Sequence, residues 1–291
     1  MQGTLIINAF LKSAQTDETY RHLMATASRH NIDMSLKTNA DYFTLIDSCT
    51  TAPLPDMSDF ILFWNKDIML GRALERAGFR LYNNARGIEL CDNKSLTAEA
   101  LSGIVNQPIT IKIPMTFDGI GYNEFDFIDR LGDILGFPFV IKECWGSYGG
   151  QVYLADSKEK ACEILKSIDG TECIAQQYIS KSCGRDLRAY VVGDRVVAAI
   201  ERSNDHDFRA NITNGGCAKC YKVSPEQEAM AVKATKALGL DFAGVDLLFL
   251  DNDAPILCEV NSNAQFLGLI SATGIDVTDA IFEHIIASSR S

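Results

Sequence analysis

The sequence predicts an α/β chain, α+β overall, in which a small domain with a parallel sheet precedes a larger part built on antiparallel hairpins. Three observations predict it. The first ~90 residues alternate short apolar runs with segments of helical periodicity, the pattern of strand–helix–strand units. Gly193-Asp194 sits between two apolar runs as a hairpin turn. A second pair of apolar runs, within 240–264, flanks the turn-forming cluster Asp251-Asn-Asp-Ala-Pro255.

Taken in order, 4–10 reads as a strand, and 16–30 as a helix with Tyr20, Leu23, Met24 and Ala27 on one face. The pattern then gives a strand over 59–64, a helix over 66–77 stopped near Gly78, and a strand over 80–82. Neither GxGxxG nor GxxxxGK[ST] is present, so no dinucleotide fingerprint and no P-loop is expected. From Asp92, read as the cap of a helix to Leu101, the style changes. Strands follow at 109–113 and 137–141 with a helix at 124–135 between them, then a strand at 173–179 and the hairpin 186–192/195–200. Ser224-Pro225-Glu226-Gln227 opens a helix with a capping box and a proline in its first turn, and Gly239 closes it.

Composition excludes several classes. At 291 residues and 47% apolar, the chain holds one large or two modest domains and is not disordered. A net charge of −11 argues against a general nucleic-acid binder, which needs an excess of Lys and Arg. No apolar run approaches the ~20 residues of a membrane span, and 1–10 lacks the basic start of a signal peptide. A cytoplasmic protein without membrane attachment is expected. The nine cysteines fit reduced thiols in that compartment. Cys217 and Cys220 lack the second pair that a structural zinc requires.

The chemistry concentrates in the 240–264 hairpin. Its runs would bury nearly every side chain, yet Asp246, Glu259 and Asn261 lie inside them. Glu259 and Asn261 are two apart, so on a strand they share a face, and the turn at 251–255 brings Asp246 alongside. Two carboxylates and an amide oxygen in an apolar frame are costly to bury unless a hard cation neutralises them. An oxygen-only set this small suits Mg²⁺ completed by water and phosphate. The competing reading is a wetted sheet face.

A second constellation precedes it. Lys142 leaves an apolar strand into the glycine-rich stretch Gly146-Ser147-Tyr148-Gly149-Gly150, where backbone N–H groups and an ammonium can hold polyphosphate. Lys94, Gln176–Ile179 and Asp186 accompany it, with Arg185, Arg188, Arg202 and Arg209. The arginines are either a solvated face or bidentate ligands for phosphate and carboxylate.

Lysine, glycine-rich loop, hinge, arginines and Asp…Glu-x-Asn in this order resemble the ATP-grasp superfamily, and within it the RimK-type glutamate ligases. The matching blocks are 184–202, Asp207-Phe-Arg-Ala-Asn211, 239–246 and Glu259-Val-Asn261. The likeness covers about 92–288. It implies a Rossmann-like pre-ATP-grasp domain over 1–91 and an ATP-grasp domain over 92–291, with a small lobe to 179 and a metal-binding lobe from 180. It also implies that Lys94, Lys142, Arg209 and Asn211 meet ATP phosphates and that Gly146–Gly150 closes over them. Gln177, Tyr178 and Ile179 would hold adenine, and Asp186 the ribose. Asp246, Glu259 and Asn261 would bind two Mg²⁺ (or Mn²⁺), with Glu259 bridging. Arg202 would hold the acyl phosphate or substrate carboxylate, and Arg202 and Arg209 would be the catalytic pair.

The implied activity is an ADP-forming carboxylate–amine ligase adding an amino acid such as glutamate to an amine. Its partners would be small-molecule carboxylates and amines, or a peptide or protein acceptor, with a homo-oligomer as the default assembly. The rival is an ATP-binding interaction protein without turnover. Three positions depart from the family: Asn214 where arginine is usual, Ala264 where proline is common, and Gln151 in place of a third lid glycine.

Overall fold

A computed structural model describes residues 1–146, 150–211 and 215–289. The first sheet is formed by β1 (Gln2–Ile7), β2 (Asp33–Thr38), β5 (Phe60–Trp64) and β6 (Leu81–Tyr82) in the order β2-β1-β5-β6. All its pairings are parallel. Helix α1 (Ala14–Arg29) starts where Ser13 and Thr16 make a reciprocal capping box, and α2 (Ile68–Arg76) where Asp67 caps Leu70. β1 stops at Ile7, short of the expected 10, because the Asn8 side chain accepts from the amides of Phe10 and Leu11 and turns the chain. β2 and a small hairpin, β3 (Phe43–Leu45) with β4 (Thr50–Ala52), lie outside the sequence reading. Their side chains are mostly half-buried or exposed, so no apolar alternation marks them.

Asp92 is not a helix cap. It ends α3 (Ala85–Asp92), and Asn93 caps α4 (Lys94–Ala100) by accepting from Ser95 and Leu96. The two residue types able to cap stand next to each other, and the structure places the cap at the second.

The second sheet, β7 (Thr110–Lys112), β8 (Phe139–Glu143), β9 (Val152–Ala155) and β10 (Cys173–Gln177), has the order β7-β10-β8-β9 and is antiparallel throughout. One side is packed by α5 (Phe127–Leu135) and α6 (Lys158–Ser167), which contribute Ile128, Leu131 and Leu165 to its own core. The third sheet holds β11 (Arg185–Val192), β12 (Arg195–Ser203), β13 (Cys217–Cys220), β14 (Phe242–Phe249) and β15 (Pro255–Asn261) in the order β13-β12-β11-β14-β15. Both expected hairpins are present within it. Helix α7 (Pro225–Ala237) carries the expected capping box at Ser224 and Gln227 and covers one face. Cys217 and Cys220 are three apart on edge strand β13, so their side chains leave on opposite faces and do not form a metal pair.

The opposite face of the third sheet merges with the N-terminal layer. Helices α8 (Leu267–Thr273) and α9 (Val277–Ser288) fill the gap between them, and one core unites Leu5, Leu23, Phe60 and Trp64 with Tyr190, Phe242, Phe266 and Phe282. Trp64 stacks on Phe242 at 5.9 Å and meets Phe266 edge-on at 5.7 Å. The first sheet and the third are therefore one cooperative unit. Among the described residues, no helix is long and apolar enough to cross a membrane.

Phe266→Ala tests this shared core. Urea denaturation should show a loss of about 3–5 kcal/mol, with Trp64 fluorescence and backbone circular dichroism falling in a single transition.

Candidate active site

Strands β14 and β15 place the acidic trio. Asp246 stands opposite Glu259, and Asn261 lies two residues beyond on the same side. The register slips between Asp246 and Leu247, whose partners are Glu259 and Leu257, leaving Cys258 as a bulge. The bulge lets Cys258 and Glu259 both reach the same cavity, against the usual alternation. Burial pushes the Cys258 thiol up to about 11, so it is a neutral wall group rather than a nucleophile. Asn261 Nδ2 donates to Glu259 Oε1 at 2.9 Å.

Asp246 is buried, 3% exposed, and both its oxygens are engaged. Arg188 grips it through Nε and Nη2, and Arg202 Nη2 lies 2.9 Å from Oδ2. Arg202 in turn donates to both oxygens of Asp186, at 2.6 and 2.7 Å. Burial alone would raise the Asp246 carboxyl, but the two guanidinium groups hold it below the ordinary carboxylate value. Strand register dictates the whole layer: Arg188 faces Asp246 across β11/β14, and Asp186 faces Arg202 across β11/β12.

A cavity between the second and third sheets collects most of the other residues singled out by sequence. Lys94, Lys142, Gly146, Gln177, Tyr178 and Ile179 line one side, and Asp186, Arg202, Arg209, Asn211, Asp246 and Glu259 the other. Asn261 lines the adjoining cavities and Gly150 lines neither. Ser147, Tyr148 and Gly149 lie outside the described residues, as does Asn214. The Lys94 Nζ donates to the Gly146 carbonyl at 3.1 Å, tying the α4 start to the glycine stretch. Burial holds the Lys94 ammonium pKa below that of an ordinary lysine. Lys142 is 6% exposed, and among the described residues its Nζ hydrogen-bonds to the Cys258 sulfur at 3.8 Å. Among the described residues no carboxylate lies within ion-pair distance of either lysine.

Gly146 needs to be glycine: its φ is +136°, and a Cβ there would meet Gln151 Oε1 at 2.6 Å. The Gln151 side chain thus packs over Gly146, in the space that a Cβ would occupy. Arg209 Nη2 pairs with Asp207 at 2.6 Å, and its Nη1 reaches the Val152 carbonyl at 3.4 Å, linking the third sheet to β9. Ala264 is accommodated by Gly244, whose missing Cβ leaves room for the Ala264 methyl.

Sequence reasoning missed the apolar slot of this cavity. Val140, Phe208 and Leu248 line it with Tyr178, which meets Phe208 edge-on at 6.3 Å. Phe208 lay within a matched block, but its place opposite Tyr178 depends on how two sheets face. The sequence marks Arg188 only as one arginine of four, and its grip on Asp246 depends on register.

The trio fits a hard divalent cation by donor chemistry: its ligating atoms are all oxygens and include two carboxylates on adjacent strands. Among the described residues, the Glu259 and Asn261 side chains bond to each other, whereas Asp246 is shared with the guanidinium groups.

This fold and this cavity define an ATP-grasp protein, and comparison with known proteins agrees. A family model described as RimK-like ATP-grasp domain matches residues 96–285. The chain belongs to that family, whose members are ATP-dependent ligases. It is 35% identical over 254 residues to "Uncharacterized protein MG012" of Mycoplasma genitalium, covering 84% of this chain and 85% of the relative. It is 34% identical over 237 residues to "Probable alpha-L-glutamate ligase 1" of Shewanella denitrificans, covering 80% and 77%. The fold superposes on a RimK domain ATP-grasp protein from Sphaerobacter thermophilus with TM-score 0.73, 19% identity and coverage of 98% and 99%.

The charge layer has a stability signature. The folded pKa of Asp246 is depressed, so its contribution is present above the unfolded carboxylate value of about 3.9 and is lost as pH falls through the lower folded value. Asp246→Leu should therefore cost about 3–5 kcal/mol at pH 7 by leaving Arg188 unpaired. In urea titrations the gap from wild type should narrow below pH ~4.

Proposed function

We propose that the chain is an ADP-forming carboxylate–amine ligase that activates an amino-acid carboxylate, such as that of glutamate, as an acyl phosphate. One observation carries the reading: Lys94 and Lys142 face the cavity without a carboxylate partner among the described residues, while Glu259 and Asp246 stand across from them. Two partly desolvated ammonium groups without a counter-charge are costly, and a polyphosphate relieves that cost. Adenine would lie between Tyr178, Phe208 and Leu248, its edge facing the Gln177–Ile179 backbone. Asp186 would meet the ribose. Arg209 and Asn211 would hold phosphate oxygens, with Gly146–Gly150 closing above them.

In the reaction the donor carboxylate oxygen attacks the γ-phosphorus, the bond to the β-phosphate oxygen breaks, and ADP leaves. The amine nitrogen then attacks the acyl carbon, the C–N bond forms, inorganic phosphate departs and the nitrogen loses its proton. Mg²⁺ held by Asp246, Glu259 and Asn261 would neutralise phosphate charge. Lys94, Lys142 and Arg209 would position the phosphates, and Arg202 would face the developing acyl phosphate, so catalysis rests on orientation and charge rather than on a nucleophilic side chain.

The test is ADP release with Mg²⁺ and ATP against amino acids, singly and in pairs. Release should require an amino acid and fall at least ~100-fold in Glu259→Ala. Lys142→Met should weaken ATP binding by about 10- to 100-fold, the value of a hydrogen bond to a charged group. Protein that does not bind ATP would sink the assignment. Binding without release in any pool, peptide pools included, would point instead to the non-turnover reading.

A further inference from the structure

Arg202 lines both the cavity between the second and third sheets and the cavity that adjoins it at the carboxyl ends of the first sheet, so its guanidinium stands where the two meet. The bonds that hold it lie along one edge. Nε donates to Asp186 Oδ1 at 2.6 Å and Nη2 to Asp186 Oδ2 at 2.7 Å, a two-pronged contact between residues directly opposite on β11 and β12. Nη2 also lies 2.9 Å from Asp246 Oδ2. Nη1 has no hydrogen-bond partner among the described residues, yet it is not sealed in. The buried side-chain atoms left without partners are Thr51 Oγ1, Ser58 Oγ, Asn65 Nδ2 and Asn263 Oδ1, and Arg202 Nη1 is not one of them. Two N–H groups of a buried cation thus remain for whatever enters.

Asp186 is what aims this edge. A single bond leaves a guanidinium free to turn about it, whereas a fork fixes its plane and direction. Asp246 offers Arg202 one oxygen only, and that oxygen also accepts from Arg188 Nη2 at 2.7 Å. The neighbour of Arg202 on the other side, Ala218 of β13, has no polar side chain. Asp186, 8% exposed, gives both of its oxygens. On the ligase reading Asp246 would also serve a divalent cation, and a cation there repels the guanidinium groups. Asp186 is then the anchor that remains. A ribose hydroxyl at Asp186 does not compete with this role, because each carboxylate oxygen can accept more than one hydrogen bond.

We propose that Asp186 is the positioning residue of Arg202: its fork turns the Nη1 edge of the guanidinium into the cavity, where that edge receives the anionic oxygens of an acyl phosphate. The presentation of the edge stands on geometry; only the identity of the anion rests on the ligase reading. A mere counter-charge would stabilise the buried guanidinium without changing what Nη1 binds. A mere ribose ligand would act only through the ribose hydroxyls.

Acetyl phosphate, an acyl phosphate without an amine, is the probe. It is titrated calorimetrically into the full chain saturated with Mg²⁺ and 2′,3′-dideoxy-ADP, which has no ribose hydroxyls for Asp186 to meet. Wild type should bind it. Asp186→Asn sets one acceptor and one NH₂ against two N–H groups, so half of the fork is lost and binding should weaken about 10- to 100-fold. Arg202→Lys has no fork to hold and should weaken binding at least as much. The double variant should be no weaker than Arg202→Lys alone, because the two residues act as one unit. If Asp186→Asn does not fold, Asp186→Glu, which keeps the charge but displaces the fork, takes its place with the same expected loss. Wild-type affinity in the Asp186 variant, even with lowered thermal stability, would reduce Asp186 to a counter-charge and overturn the proposal. Losses that add in the double variant, or a wild type that does not bind acetyl phosphate, would overturn it too. Asp186-dependent binding in a chain that releases no ADP with any amino acid or peptide would count against the ligase reading alone. Release of 2′,3′-dideoxy-ADP from its triphosphate at the wild-type kcat in Asp186→Asn would overturn the positioning role and spare the ligase reading.

Discussion

The buried layer of Asp186, Arg188, Arg202 and Asp246 is the constraint on which the rest of the site depends. Its four side chains come from three adjacent strands; Arg188–Asp246 and Arg202–Asp186 join residues directly opposite in the sheet, and Arg202 also reaches across β11 to Asp246. Asp186 and Arg188 are two apart on β11, on the face that farther along carries Tyr190 and Val192. The same strand face therefore switches from charge to hydrocarbon: one half forms the site, and the other packs into the core shared with the N-terminal sheet. A register slip of one residue would turn both halves over, driving Asp186 and Arg188 into the core under α7 and pulling Tyr190 and Val192 out of the shared core. Because desolvating ions is expensive, such a layer is poor evidence of a gain in stability. Its value is in fixing where the carboxylates and guanidinium groups stand.

Much of this architecture is legible in the sequence where local chemistry decides the outcome. Gly193-Asp194 and the 251–255 cluster announce the two hairpins, and Ser224 to Gln227 announce the start of α7. The trio Asp246, Glu259 and Asn261 is visible because polar residues interrupt apolar runs. What stays hidden depends on long-range placement. β2 pairs only at the sheet edge, where its exposed, polar side chains show no pattern. The pairing of Arg202 with Asp186 and of Arg188 with Asp246 follows from register, which a list of arginines does not contain. The bulge at Cys258, which turns Glu259 and its neighbour into the same cavity, is likewise a property of the paired strands.

The two sides of the cavity between the second and third sheets differ in how their charges are satisfied. Lys94 bonds to a backbone carbonyl and Lys142 lies beside a neutral thiol, so an anion meets them without breaking an ion pair. Asp246 is different: a cation approaching it competes with two guanidinium groups already in place. Glu259, whose side chain is held among the described residues by the neutral Asn261 amide, is the less encumbered oxygen donor. On the proposed ligase reading, an anion at the lysines would therefore meet a lower electrostatic cost than a cation at Asp246, and bound phosphate would strengthen the field for a cation beside it. The sheet supplies the positions, and the asymmetry of pairing sets how much each added charge would cost.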